Sequence, residues 1–244
     1  MLANLPHSGL AIPNEMRRQL KPRYQHFLPN QDWHLNRLYE FLPELGVPML
    51  SANFSRYVVD LNRPLKAPLL GSFWSSPIAQ QTAFKQDLYS APPEQESLNQ
   101  RIQTYYLPYH ARLQQELESR LNRHGRVLLL DLHSFASGLD ADVCLGTGGG
   151  TTASEHTLTQ LESAFSAEKF ACVKNQVFNG GHITRHYGAM QNVETVQIEL
   201  HYRSYLEPQQ LDRASVPDWN VAAFHQTQSR LKAVFQRVMD TYKL

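Results

Sequence analysis

Two of the eleven histidines stand where an imidazole would be held rigidly in polar surroundings. His7 lies in Pro6-His7-Ser8-Gly9, between a residue with fixed φ and a glycine, and so belongs to a tight loop. His133 follows the apolar run Val127–Leu130 in Leu132-His133-Ser134, at the end of what reads as a buried strand. Neutral imidazole is the commonest metal ligand. Catalytic zinc sites use three protein ligands, often two His and one carboxylate, and leave a position for water. The plainer reading of either His alone is a turn cap or a satisfied core hydrogen bond.

Further chemistry-bearing groups follow in three segments. Ser55-Arg56-Tyr57-Val58-Val59-Asp60-Leu61-Asn62-Arg63-Pro64 brackets a short apolar stretch with two guanidinium groups and adds an amide. Planar guanidinium binds carboxylate in bidentate fashion, so the segment suits an acidic small molecule; a surface ion-pair ladder with Asp60 is the plain alternative. Phe178–Gly188 gathers three glycines, His182, Arg185, His186 and Tyr187 into a binding-type loop, with a turn at Gly180-Gly181 as the plain alternative. Val196-Gln197-Ile198-Glu199-Leu200-His201 alternates strictly. Its polar side carries Gln197, Glu199 and His201, so Glu199 is a candidate general base if that side faces a cleft and an ordinary solvated residue if it does not.

These groups need elements to hold them. Leu35, Leu38, Tyr39, Leu42 and Leu45 predict a helix stopped at Gly46; Leu113, Leu117 and Leu121 predict another ending before Gly125. Val221 through Val238 predicts an amphipathic C-terminal helix capped by Asp218 or Ser215. Strands are expected at Val47–Asn53, Tyr57–Asp60, Val127–Leu132, Asp142–Leu145, Phe170–Gln176 and Thr195–Leu200, and Ser90–Glu96 reads as a loop. The alternation predicts an α/β fold with a mixed, mainly parallel sheet between helical layers, over a single domain of residues 1–244. Ligands then gather at the carboxyl ends of the strands.

Composition excludes several classes. Lys+Arg total 23 and Asp+Glu 22 in 244 residues, a net charge of +1, which argues against nucleic acid as a partner. A mean hydropathy of -0.44 and the absence of a long apolar run argue against a membrane. Met1–Leu5 has neither a charged n-region nor an apolar h-region, so no secretory signal is expected. Cys144 and Cys172 read as buried thiols in a reducing, cytoplasmic setting.

Taken together and in order, Pro6-His7-Ser8-Gly9, Asp32-Trp33-His34, Ser55 through Arg63, Asp131-Leu132-His133-Ser134, Gly180 through Arg185 and Gln197-Ile198-Glu199 resemble the N-formylglutamate amidohydrolase family. The resemblance runs from about Leu5 to Leu206. That family is similar to the zinc carboxypeptidases and to the aspartoacylase and succinylglutamate desuccinylase enzymes. The resemblance implies a zinc-carboxypeptidase-like sheet with one Zn2+ at its carboxyl edge. It also implies hydrolysis of N-formyl-L-glutamate, a small acidic substrate, to formate and L-glutamate, the last step of a histidine degradation route. His7 and His133 take the metal-ligand roles, Arg56 that of carbonyl polariser and Glu199 that of general base. Asn62 and Arg63 hold a substrate carboxylate, Arg185 a second one, with His182 and Gln197 beside them. The wider superfamily has a ligating Glu three residues after its first His, where this chain has Leu10. Asp32, opening the helix of Trp33-His34, is the first choice for the third ligand and Glu15 the second. Two rival readings are a zinc amidase or peptidase-like hydrolase acting on another N-acyl acidic amino acid or short peptide, and a non-catalytic binding module. Of the other histidines, His34 and His201 are expected near the site, whereas His26, His110, His124, His156 and His225 read as surface residues.

Overall fold

The computed structural model describes residues 1–66, 68–208 and 211–242. Among the described residues are eight strands: β1 (Leu2–Leu5), β2 (Met49–Ser51), β3 (Leu70–Gly71), β4 (Ile78–Ala79), β5 (Val127–Phe135), β6 (Val143–Gly146), β7 (Cys172–Lys174) and β8 (Val193–His201). The described residues also form seven α-helices: α1 (Asn14–Gln19), α2 (Leu35–Leu38), α3 (Gln95–Arg101), α4 (Leu107–His124), α5 (Glu155–Ala167), α6 (His182–Tyr187) and, after the last strand, α7 (Ala222–Thr241). Six strands form one sheet in the order β2-β1-β5-β8-β6-β7. Its neighbours are parallel except β6 and β8, so the sheet is mixed and mainly parallel.

The strand alternation sorts the sheet into two faces. Leu128, Leu130 and Leu132 of β5 and Val196, Ile198 and Leu200 of β8 pack with residues of α2, α5 and α7. Val127 and Leu129 of β5 pack with Leu113 and Leu117 of α4 and Ile183 and Tyr187 of α6. Helices therefore cover both faces, and β5 is buried along its whole length. On the α4/α6 face, Asp131 and His133 share a side of β5, and the parallel register pairs them with Gln197 and Glu199 of β8. Four polar side chains thus project together from the carboxyl end of the central strand pair, the place such sheets offer to ligands.

Several local expectations are corrected. Tyr57–Asp60 is a turn rather than a strand: Val58 N–H donates to the Ser55 carbonyl at 2.8 Å, and Tyr57 and Val58 are buried in a satellite apolar cluster beneath α1. The helix expected from Leu35 to Leu45 is one turn, α2, followed by a separate 3-10 turn that starts at Pro43, a residue unable to continue a helix. The Phe170–Gln176 strand shrinks to Cys172–Lys174. Helix α7 has Val221 at its N-cap with no side-chain cap, because Asp218 Oδ1 accepts from Asn220 N–H at 2.9 Å instead. Cys172 is half-buried, and both cysteines are free. No helix among the described residues is long and apolar enough to cross a membrane.

Candidate active site

His7 follows β1, His133 ends the polar side of β5, and Asp32 lies just ahead of α2. One ligand atom from each lies within 4.8 Å of the other two, and all three residues are buried. Each imidazole is oriented from behind. His7 Nε2 is 2.7 Å from Asp60 Oδ1, and His133 Nε2 is 3.1 Å from Asp131 Oδ1. Both Nδ1 atoms therefore face Asp32, and His133 Nε2 also lies 3.1 Å from the Asn62 amide nitrogen. His133 Nδ1 is 3.0 Å and His7 Nδ1 3.6 Å from Asp32 Oδ2. His7 Nδ1 is buried yet has no hydrogen-bond partner. A buried nitrogen left without a partner is costly; here it faces a carboxylate oxygen and a second imidazole nitrogen. Two imidazole nitrogens and a carboxylate are the donor set of a catalytic divalent-metal site, and each His carries the outer carboxylate partner that such ligands use. The residues fit a metal. Glu15, the alternative third ligand, is exposed and 3.4 Å from the Tyr105 hydroxyl.

The outer partners are themselves held. Asn4 Nδ2 donates to Asp131 Oδ1 at 2.8 Å, and Thr184 Oγ1 donates to Asp131 Oδ2 at 3.0 Å. Behind Asn4, Tyr109 of α4 donates to Asn4 Oδ1 at 2.7 Å. Asp60 accepts from Arg56 at 2.6 Å and from Asn62 N–H at 2.8 Å. In the metal-free protein, burial pushes Asp60 and Asp32 up. Arg56 and His7 overcome this for Asp60, and His133 and His7 for Asp32, so both carboxyls stay below the usual range. Burial lowers His133, but Asp131 and Asp32 outweigh it and raise it. Replacing Asp131 or Asp60 by Asn is expected to weaken metal affinity about 10- to 100-fold, read by competition with a chromophoric chelator; unchanged affinity would remove the outer-partner role.

A cavity of about 410 Å³ opens over these groups. His7, Asp32, Arg56, Asn62, Arg63, His133, Gln197 and Glu199 all line it. Glu199 is buried, and burial pushes its carboxyl up to about 7. Its Oε1 accepts from Gln197 Nε2 at 2.5 Å. The Gln197 amide is fixed in turn, because its Oε1 accepts from Gly181 N–H at 2.6 Å. Gly181 packs where an added Cβ would lie 2.4–2.7 Å from the Asn62 amide, whose Oδ1 accepts from Ile183 N–H at 2.8 Å. Gln197 and Asn62 thus clamp the Gly180-Gly181 loop from two sides. Arg56 is bound to Asp60, has its guanidinium 4.4 Å from the Phe73 ring centroid, and keeps a buried Nε without a partner. Arg63 Nε is likewise buried and unpartnered.

Two sequence candidates lie elsewhere. Arg185 is exposed and lies outside the cavity lining; its nitrogens donate to Gly180 O at 3.1 Å, Asn179 Oδ1 at 2.9 Å and Gly148 O at 3.5 Å. It braces two loops. His182 is half-buried at the start of α6, 5.8 Å ring-to-ring from His110 and also outside the lining. His34 donates toward the Pro217 carbonyl at 2.8 Å, and His201 Nδ1 accepts from Arg203 N–H at 3.0 Å; neither lines the cavity. His110 corrects a surface reading. It is half-buried, with Nε2 3.0 Å from the Leu61 carbonyl and Nδ1 2.8 Å from the Tyr187 hydroxyl. Burial lowers its pKa to about 4, so it stays neutral. With Tyr106, whose hydroxyl donates to Arg63 O at 2.8 Å, it pins the backbone on either side of Asn62. Sequence reasoning assigned no role to Asp60 and Asp131 as His partners. Asp131 was recoverable, since residues two apart on a strand share a face; the Asp60–His7 pair spans 53 residues and has no local signal.

A mixed α/β sheet with a buried His-Asp-His donor set at its carboxyl edge, beside a buried carboxyl group, defines a metal-hydrolase type of site. The sequence comparisons make the class specific: the family described as N-formylglutamate amidohydrolase matches residues 1–206, and the chain belongs to that family. N-formylglutamate deformylase of Pseudomonas aeruginosa is 35% identical over 221 residues, covering 86% of this chain and 83% of that one. The N-formylglutamate deformylase of Pseudomonas putida is 32% identical over 222 residues, with 85% and 82% covered. The crystal structure of N-formylglutamate amidohydrolase from Ralstonia eutropha JMP134 shares the fold, with a TM-score of 0.79, 24% identity, and 98% and 92% of the two chains covered.

Proposed function

We propose that this chain is an amidohydrolase that converts N-formyl-L-glutamate to formate and L-glutamate, with zinc as the cation held by His7, Asp32 and His133. The observation that carries the reading is one cavity lined by that donor set, by Glu199 and by the two guanidinium groups with unpartnered Nε atoms, Arg56 and Arg63. Zinc in such a site supplies Lewis acidity, which makes water a nucleophile near neutral pH and polarises a carbonyl.

The chain's own residues then divide the work. Glu199, when ionised, takes the proton of the attacking water and passes it to the leaving amine, a dual role open to a carboxyl whose pKa lies near the working pH. Gln197 holds that carboxylate in place with its 2.5 Å hydrogen bond. Arg56, whose guanidinium lines the cavity beside Asp60 and Asp32, stabilises the developing oxyanion; loss of one such donor typically costs about 100- to 1000-fold in turnover. Arg63 binds a substrate carboxylate, and Asn62 keeps the Gly180-Gly181 wall in position. Gly181→Ala would displace the Asn62 amide, and kcat/KM is expected to fall about 10- to 100-fold, because small misplacements of positioning groups are costly. The two free thiols suit a reducing compartment, and we place the enzyme in the cytoplasm.

The test is product release from N-formyl-, N-acetyl- and N-succinyl-glutamate with the zinc-loaded protein. Formate release is expected to dominate. Acetate or succinate release without formate would replace this reading by an amidase of another acyl specificity.

A further inference from the structure

The charge inventory of the cavity differs from what a dicarboxylate alone would call for. Arg56 already faces two carboxylates, Asp60 at 2.6 Å and Asp32 at 3.9 Å. Arg185, outside the cavity lining, spends its donors on two loop carbonyls and the Asn179 amide. Arg63 donates from Nη1 to the Asn62 carbonyl at 3.0 Å, makes no ion pair among the described residues and keeps a buried Nε without a partner. One cavity guanidinium therefore has no carboxylate partner among the described residues, enough to pair one substrate carboxylate.

The cavity lining also includes large apolar side chains. Trp74 is 60% exposed and Val177 56% exposed, and both line this cavity although they are large hydrophobic side chains with little protein over them. Phe178, next to Val177, lines it as well, as do Phe84 and Leu211 from two other segments. Segments distant in sequence thus contribute carbon surface to the lining of a polar site. An exposed apolar patch beside a binding group marks a place where a ligand completes the burial.

We propose that the same site also deformylates N-formyl amino acids with apolar side chains: Arg63 holds the α-carboxylate and the Trp74–Val177 collar covers the side chain. This rests on the hydrolytic reading above. The reaction is again a hydrolysis. The formamide C–N bond breaks, a C–O bond to the oxygen of water forms, formate leaves, and the amine of the free amino acid takes the proton.

The experiment compares kcat/KM of the zinc-loaded enzyme for N-formyl-L-leucine and N-formyl-L-glutamate, in the wild type and in Trp74→Ala and Val177→Ser. The leucine derivative is expected within about tenfold of the glutamate derivative. Each substitution is expected to shift the ratio of the two about tenfold against leucine, the scale on which apolar side-chain contacts discriminate substrates. A leucine derivative more than about tenfold poorer in the wild type overturns the proposal and leaves the glutamate reading intact. An equal fall for both substrates in the variants also overturns it, since the collar would then be a general lid. Turnover of the leucine but not the glutamate derivative supports the proposal and removes the glutamate reading; turnover of neither removes both.

Discussion

Glu199→Gln is expected to lower kcat for formate release by about a thousandfold, within the range general acid–base groups contribute, while zinc stoichiometry stays at the wild-type value. The substitution is nearly isosteric and spares all three residues of the His7-Asp32-His133 set. It removes only the capacity to accept a proton. The wild-type rate should fall toward acid pH, because burial raises this carboxyl and protonated Glu199 cannot act as a base. Stability should move the other way. A carboxyl at 4.5 in the unfolded chain and about 7 in the folded one stabilises the fold fully below pH 4.5 and loses that contribution as pH rises through 7. For the metal-free protein this amounts to roughly 3 kcal/mol less stability at pH 8 than the protonated form would have. Glu199→Gln should therefore raise the melting temperature of the metal-free protein at pH 8 and much less so at pH 4. A variant that keeps its turnover would remove Glu199 from the base role, whatever its stability.

Removal of a ligand imidazole is the other large effect, and the two histidines should not behave alike. His7→Ala deletes one metal donor but leaves Asp60 paired with Arg56 at 2.6 Å. The expected result is a folded protein with metal content near zero and no measurable turnover. His133→Ala deletes the partner of Asp131 and Asp32, two buried carboxyl groups, the first of which retains only the neutral donors of Asn4 and Thr184. Breaking a buried ion pair on one side costs about 3–5 kcal/mol, so this variant should lose both metal and much of its stability. Metal analysis beside denaturant unfolding separates the two. Wild-type metal content in His7→Ala would strike His7 from the ligand set, and equal unfolding midpoints would contradict the asymmetry.

The sheet was legible in the sequence where periodicity carries the fold. The apolar run of Val127–Leu130 gave β5, and the alternation of Val196–Leu200 gave β8 with Glu199 on its polar side; parallel pairing then set His133 opposite Glu199. Site geometry was less legible wherever it depends on contacts between distant segments. Val58-Val59 has strand-like composition, but a turn buries Tyr57 and Val58 and brings Arg56 within 2.6 Å of Asp60 four residues on. Arg185 has the residue type of an anion binder and the position of a loop brace, since two loop carbonyls and the Asn179 amide oxygen lie within its reach. His110 carries no motif of its own, and its place behind the Asn62-Arg63 backbone follows from how α4 packs on the sheet.

Titration of zinc into the metal-free chain with formate release from N-formylglutamate as the readout tests the central claim most directly. Activity should rise linearly to one zinc per chain and plateau there. Formate release at the full rate from the metal-free chain, or none from the fully loaded one, would contradict it.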